Sequence, residues 1–304
     1  MDTIIRTAAL CKSYRGKPAV DRLDMQVPKG EIYGFIGQNG AGKSTTFKLL
    51  AGLARPTGGQ AELFDQPLGS AIARRRIGLL IEDAGVYPGL TAQENCMLKA
   101  LALGLPAAEK TVAQTLAQVG LPDADKKKAK HFSMGQRRRL GLALALLGSP
   151  DLLLLDEPTN GLDPEGIRDI RALLLQLRQE RGVTIVISSH ILGELEKIAT
   201  CYGILRAGHM VKELTAADLS AQFCDYLALQ TPDAHRAAAL LEEKLGLTRY
   251  EVLPKGTLHI FGATDPAAVN QVLTQNGVAV QAIGMHRQEL EDYFLQMMGE
   301  AKHV

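Results

Sequence analysis

The 304-residue chain predicts an α/β fold followed by a second, smaller α+β unit. Three observations carry this expectation. The apolar run Glu31–Ile36 enters a glycine-rich loop and then an apolar-periodic segment from Ser44 to Leu53, which reads as strand, loop and helix. Leu152–Leu155 and Val183–Ser188 are apolar without alternation, as expected of parallel strands covered on both faces. Near residue 220 a fresh series of short strands and helices begins.

Taken in order, Ile4–Leu10 and Leu23–Val27 read as strands that precede Glu31–Ile36. Residues 77–82 form another apolar run, which ends in Glu82. From Thr91 to about Gly148, Ala, Leu, Gln and Lys recur at helical spacing, punctuated by Pro106 and Pro122. This reads as a helical insertion over about 86–148. Ile167–Arg181 and Leu192–Cys201 read as helices on either side of the strand Val183–Ser188, and the alternation argues for an α/β sheet. Beyond residue 220 the expected elements are strand Tyr226–Leu229, helix Ala234–Leu245, strands Tyr250–Leu253 and Leu258–Phe261, helix Pro266–Asn276, strand Val278–Ile283 and helix Gln288–Met298. That order is compatible with a small ferredoxin-like domain. The expected division is therefore 1–220 and 221–304.

Composition narrows the function class. Hydrophobic residues make up 46% and charged residues 22%, ordinary for a folded soluble protein. A formal net charge of +1 gives no overall pull toward nucleic acid or anionic lipid, so no nucleic-acid partner is expected. Cys11, Cys96, Cys201 and Cys224 lie far apart with no CxxC pair, which argues for reduced thiols in a cytosolic setting. Met1–Leu10 lacks the apolar core of a signal peptide. The most apolar stretch, Leu140–Leu155, is broken by Gly148, Ser149, Pro150 and Asp151, well short of the about 20 residues that span a bilayer. Work at a membrane would need another chain to supply the span.

The sharpest signal is Gly37, Gln38, Asn39, Gly40, Ala41, Gly42, Lys43, Ser44 and Thr45, which fits G-x-x-x-x-G-K-[ST] between a predicted strand and helix. Glycines let the backbone curl with its N–H groups inward as an anion nest, and the following helix adds its positive end. Lys43 can reach the outer phosphates, and Ser44 can hold Mg²⁺. A bound nucleoside triphosphate, ATP with Mg²⁺, is the expected ligand.

Leu152–Leu155 runs into Asp156 and Glu157. Parallel sheets bind ligands beyond the carboxyl ends of their strands, so Asp156 should lie near the phosphate loop and serve the metal. Glu157 is then placed to polarise the attacking water, a role that contributes about 10²–10⁴ in rate. Alone, the pair could equally be a solvated strand end; beside the phosphate loop it points to hydrolysis.

At this point residues 1–220 resemble the nucleotide-binding domain of an ABC transporter. Phe132, Ser133, Met134, Gly135 and Gln136 resemble the family signature LSGGQ, and residues 156–163, ending in Asp163, resemble its catalytic strand and D-loop. Ser188, Ser189 and His190 end a strand as the family's switch histidine does, and Tyr14 stands where the family stacks an aromatic on adenine. The resemblance implies a P-loop core, a RecA-like sheet with an antiparallel β part and an inserted helical subdomain. It implies two such domains closing head-to-tail around two ATP molecules. Ser133, Gly135, Gln136 and Asp163 would then face nucleotide, and His190 would contact the γ-phosphate. One phosphate loop per chain calls for a second copy or a paralogue, and an integral-membrane permease on a separate chain would hold the pair at the cytoplasmic face of the plasma membrane.

Two departures refine the resemblance. Met134 replaces the first signature glycine. Glu82 stands where most members carry a glutamine that contacts Mg²⁺; a carboxylate oxygen is an equally acceptable ligand. The run Gly78–Asp83, with Tyr87, Leu90, Thr91, Glu94 and Asn95, resembles the exporters of bacitracin and lantibiotic peptides, which also carry a small C-terminal domain. The rival readings are a soluble ATPase of translation or DNA repair and a nucleotide-gated module without turnover. A single phosphate loop and the lack of long coiled coils or zinc modules weigh against the first; Lys43, Asp156, Glu157 and His190 together weigh against the second. The basic runs Arg74–Arg76, Lys126–Lys128 and Arg137–Arg139 read first as solvated faces. Cargo is not encoded in such a subunit.

Overall fold

The computed structural model describes residues 2–81, 85–121, 126–189, 191–222, 226–262, 265–286 and 294. Glu82 and His190 lie outside the described residues, as does the expected helix Gln288–Met298 apart from Phe294. Two compact units divide the chain, Met1–Ala216 and Ala217–Val304.

The first unit runs β1 (Thr3–Tyr14), β2 (Lys17–Pro28), β3 (Ile32–Gly37), α1 (Lys43–Leu50), β4 (Gly58–Leu63), β5 (Gln66–Pro67), α2 (Ala71–Arg75) and β6 (Ile77–Leu80). It continues through α3 (Ala92–Ala102), α4 (Ala108–Gln118), α5 (Met134–Leu146), β7 (Leu152–Asp156), α6 (Pro164–Arg181), β8 (Thr184–Ser188), α7 (Leu192–Glu196), β9 (Cys201–Arg206) and β10 (His209–Thr215). Helix α8 (Ala216–Gln222) crosses the unit boundary.

Two sheets result. One is antiparallel, in the order β2-β1-β4-β5; the other is ordered β10-β9-β3-β8-β7-β6. In the second sheet every pair is parallel except β10 with β9. Every residue of β3, β7 and β8 is buried, which is why these strands show no alternation in sequence. Phe35, Phe47, Leu154 and Val186 belong to one core that also takes in Leu23 and Met25 of the antiparallel sheet. Helices α3, α4 and α5 form the insertion expected between the apolar run at 77–82 and Leu152.

The helix expected over Leu192–Cys201 is shorter. Helix α7 ends at Glu196, and Cys201 opens β9. No breaker marks this turn, so helical spacing runs on through it. The Thr200 amide donates to the Ile32 carbonyl at 2.9 Å and starts β9 beside β3. Strands β4, β9 and β10 are not expected from the sequence: β4 buries only Ala61 and Leu63, and β10 buries only Leu214.

The second unit runs β11 (Tyr226–Gln230), α9 (Ala234–Leu245), β12 (Tyr250–Leu253), β13 (Thr257–Phe261), α10 (Pro266–Gln275) and β14 (Ala282–His286). Its sheet is fully antiparallel in the order β12-β13-β11-β14. Asp233 caps α9 at the Arg236 amide, and Gly246 ends the helix in a left-handed turn. Leu227, Leu229, Leu258 and Ile260 pack with Ala237, Ala238 and Leu241 of α9 and Val269 and Leu273 of α10. The last strand lies later than expected. Val278 packs into this core and donates to the Leu273 carbonyl at 2.9 Å, so it closes α10 and leaves the ladder to Ala282–His286.

Candidate nucleotide site

Strand β3 ends at Gly37 and α1 begins at Lys43, so the glycine-rich loop joins a buried central strand to a helix start. Gly42 adopts φ +108°, and a Cβ there would lie 2.4 Å from the Ala19 carbonyl. Only glycine fits that approach of loop to β2. Gly42 gives α1 no side-chain cap, and the first turn carries no acidic residue, so the positive end of the helix faces the loop. The buried Lys43 ammonium donates to the carbonyls of Gly37 (2.6 Å) and Gln38 (3.1 Å). Burial lowers its pKa, partly opposed by the negative charges of Glu157 and Asp156.

Strand β7 brings its carboxylates to the same place. Ser44 Oγ donates to Asp156 Oδ2 at 2.5 Å, and Ser188 Oγ donates to Asp156 Oδ1 at 2.6 Å. Glu157 follows with φ +51°, a left-handed conformation that costs a non-glycine residue of order 1–3 kcal/mol. Its amide is held by both the Ser188 carbonyl (3.2 Å) and the Ser188 hydroxyl (3.1 Å). A cavity of about 200 Å³ is lined by Ala19, Asn39, Gly40, Gly42, Lys43, Ser44, Thr45, Asp156 and Glu157. Anion nest, cation and two carboxylates thus converge on one open hollow. Ser44 and Asp156 offer adjacent hard oxygens beside a phosphate cradle, the donor set that suits Mg²⁺.

The remaining expected residues lie elsewhere in this unit. Tyr14, at the end of β1, is 47% exposed and does not line the cavity; Lys12 Nζ sits 4.8 Å from its ring centre. Ser133 caps α5: its hydroxyl accepts the Gln136 amide, and the Gln136 side-chain oxygen accepts the Ser133 amide. This capping box uses one side of Gln136, which also accepts from Lys127 Nζ at 3.2 Å. Ser133 and Met134 are exposed, Met134 at 61%. Met134 lies against Gly161, where a Cβ would come within 2.1 Å of its sulfur. Asp163 caps α6 by accepting the Gly166 amide at 3.0 Å. The signature turn and the 156–163 loop therefore abut, with Ser133, Met134, Asn160, Gly161 and Asp163 open to solvent.

Two charged expectations change. Arg76 pairs with Asp151 at 2.7 Å and lies 3.9 Å over the Phe64 ring. Arg139 donates to the Val119 carbonyl at 2.8 Å and pairs with Asp169 at 3.2 Å. The last arginine of each run is a structural tie, whereas Arg74 and Arg75 are exposed. Sequence reasoning also passed over Ala19 and Ser188 as site components. For Ser188 the signal was its place at the carboxyl end of the next strand, in register with Asp156.

Comparison with known proteins agrees with this geometry. The family described as "ABC transporter" matches residues 20–160. The bacitracin transport ATP-binding protein BcrA of Bacillus licheniformis is 40% identical over 302 residues, covering 98% of both chains. The lantibiotic transport ATP-binding protein SrtF of Streptococcus pyogenes is 41% identical over 210 residues, covering 69% of this chain and 90% of its own. A solved ATP-binding cassette, dimeric and in a post-hydrolysis state with ADP and Pi, superposes with a TM-score of 0.66 at 25% identity, covering 70% of this chain and 98% of that one. The chain belongs to the ABC transporter family, as an ATP-binding and ATP-hydrolysing subunit.

Proposed function

We propose that this subunit powers an exporter that confers resistance or immunity to antimicrobial peptides. It works as a pair, with a second copy or a paralogue, beneath a separate integral-membrane permease at the cytoplasmic face of the plasma membrane. The observation that carries this reading is the 40% identity with a bacitracin transport protein across 98% of both chains, which takes in residues 217–304 as well as the nucleotide unit. No helix among the described residues is long and apolar enough to cross a membrane, which fits a permease on another chain.

Within each site the loop Gly37–Thr45 cradles the phosphates, and Lys43 exchanges its two carbonyl partners for phosphate oxygens. Ser44 and Asp156 would hold Mg²⁺, with Glu82 completing the set; when bound, the ion neutralises charge on the transferring phosphoryl group. Glu157 accepts the proton of the attacking water, and His190 orients that water against the γ-phosphate. Tyr14, half exposed at the end of β1, is the residue proposed to stack on the base. The exposed Ser133, the Gly135 amide and the start of α5 face the partner's nucleotide. Gln136 serves by holding the capping box, and Asp163 by fixing the loop that meets the partner.

Co-expression with a neighbouring permease in a bacitracin-sensitive host tests the reading. The parent pair should raise the inhibitory concentration of bacitracin or a lantibiotic, and a Glu157→Gln pair should not. Equal protection by the Glu157→Gln pair, or none by the parent, contradicts it.

A further inference from the structure

We propose that Ser188 is a positioning residue that sets both carboxylates of the ATPase site. Its residue is fully buried at the carboxyl end of β8, in ladder register with Asp156 of β7. The hydroxyl donates to Asp156 Oδ1 at 2.6 Å and accepts from the Glu157 amide at 3.1 Å. The direction of this relay is fixed by chemistry. An ionised carboxylate only accepts, and a backbone amide only donates, so the hydroxyl proton must point to Asp156.

Two consequences follow. With Oδ1 held from the sheet side, Oδ2 is the oxygen turned to Ser44, and turning the Asp156 carboxylate away would take the acceptor from the buried Ser188 hydroxyl proton. Glu157 meanwhile sits in a left-handed conformation in which both acceptors of its amide belong to Ser188. One residue therefore links the aim of the metal-side oxygen to the backbone that aims the base. An apolar side chain at 188 would leave Asp156 Oδ1 without its donor and Glu157 with a single acceptor at 3.2 Å.

The proposal rests on the assignment of Asp156 and Glu157 to ATP hydrolysis, and the test separates the two. The full-length chain is prepared as Ser188→Ala, Ser188→Thr and Ser188→Val. Thr and Val share a shape and differ in the hydroxyl, so crowding in the buried site moves both alike while loss of the relay moves only Val. Binding of a fluorescent non-hydrolysable ATP analogue is titrated with Mg²⁺ and repeated in EDTA, alongside turnover at saturating Mg²⁺ and ATP.

Ala and Val should raise the Mg²⁺ needed for half-maximal analogue binding by about 10–100-fold, the usual effect of losing an outer partner of a metal ligand. Binding in EDTA should match the parent. Turnover should fall in Ala and Val even when Mg²⁺ is saturating, because Glu157 is no longer held. Thr should stay near the parent in every readout if it folds, and should exceed Val in any case. Equal behaviour of Thr and Val, or a Ser188→Ala chain with the parent's Mg²⁺ requirement and turnover, overturns the proposal. A parent chain without ATPase activity would instead overturn the assignment on which it rests.

Discussion

The two units of the chain solve the same packing problem with different sheets. In the first, a parallel sheet buried on both faces releases its strands at one end, and polar groups are buried there: Lys43, Thr46, Asp156, Ser188 and Ser189. In the second, an antiparallel sheet lays one face on α9 and α10, and Thr231 is the one buried polar side chain among the described residues. The opposite side of that sheet carries a ring cluster, with Tyr226 4.2 Å from His259, 5.9 Å from Phe261 and 5.8 Å from His286 between ring centres. Burying a polar group costs free energy unless it is fully partnered. The contrast teaches where chemistry has been paid for: the first unit joins Ser44, Asp156 and Ser188 by side-chain hydrogen bonds at its strand ends, and the second is held by apolar contact.

The comparison can be broken in order of expected effect. Replacing Glu157 with Gln should lower turnover by about 10²–10⁴ while leaving ATP affinity near the parent value, measured by phosphate release and by nucleotide titration. Near-normal turnover would remove Glu157 as the base. Replacing Lys43 with Ala should weaken ATP binding by about 10–100-fold, as expected for charge-assisted contacts to phosphate, and calorimetry reads this directly. In the second unit, Leu227→Ala should destabilise by about 2–5 kcal/mol, since Leu227 is fully buried among α9 and α10 side chains. Its signature is a lower unfolding midpoint with the ATP affinity of the first unit unchanged; loss of ATP binding would show the units to be coupled. The smallest effect concerns protons. Burial holds the Lys43 pKa below the ordinary lysine value in the free protein, and bound phosphate should raise it. ATP binding should therefore take up protons at alkaline pH and weaken as pH rises through the lowered pKa. Calorimetry in buffers of different ionisation enthalpy measures the uptake, and Lys43→Ala should abolish it.

What could be read from sequence was local. Gly37–Thr45, Asp156 and Glu157 announce themselves because their spacing and strand context are contained in short windows. The ladder that sets Ser188 against Asp156 spans 32 residues, and nothing in either window specifies it. The same holds for Arg76 with Asp151, for Arg139 with Asp169, and for the pairing of β9 with β3. In the second unit the order of elements was legible from turns and apolar runs, but the last strand slipped to Ala282–His286 because Val278 was claimed by the core. Gln136 shows a third limit. A motif names the residue, while only the geometry reveals that its side chain closes a capping box.

In the proposed arrangement the hollow on one chain is half of a shared site, and the exposed turn at Ser133 of a second copy or paralogue completes it. Light scattering of the purified Glu157→Gln chain with Mg²⁺ and ATP tests it most directly in the homodimeric case. A doubling of molar mass on adding ATP, abolished by a further Ser133→Arg substitution, is the predicted result. A mass that stays monomeric at ATP concentrations shown to saturate the site would contradict it.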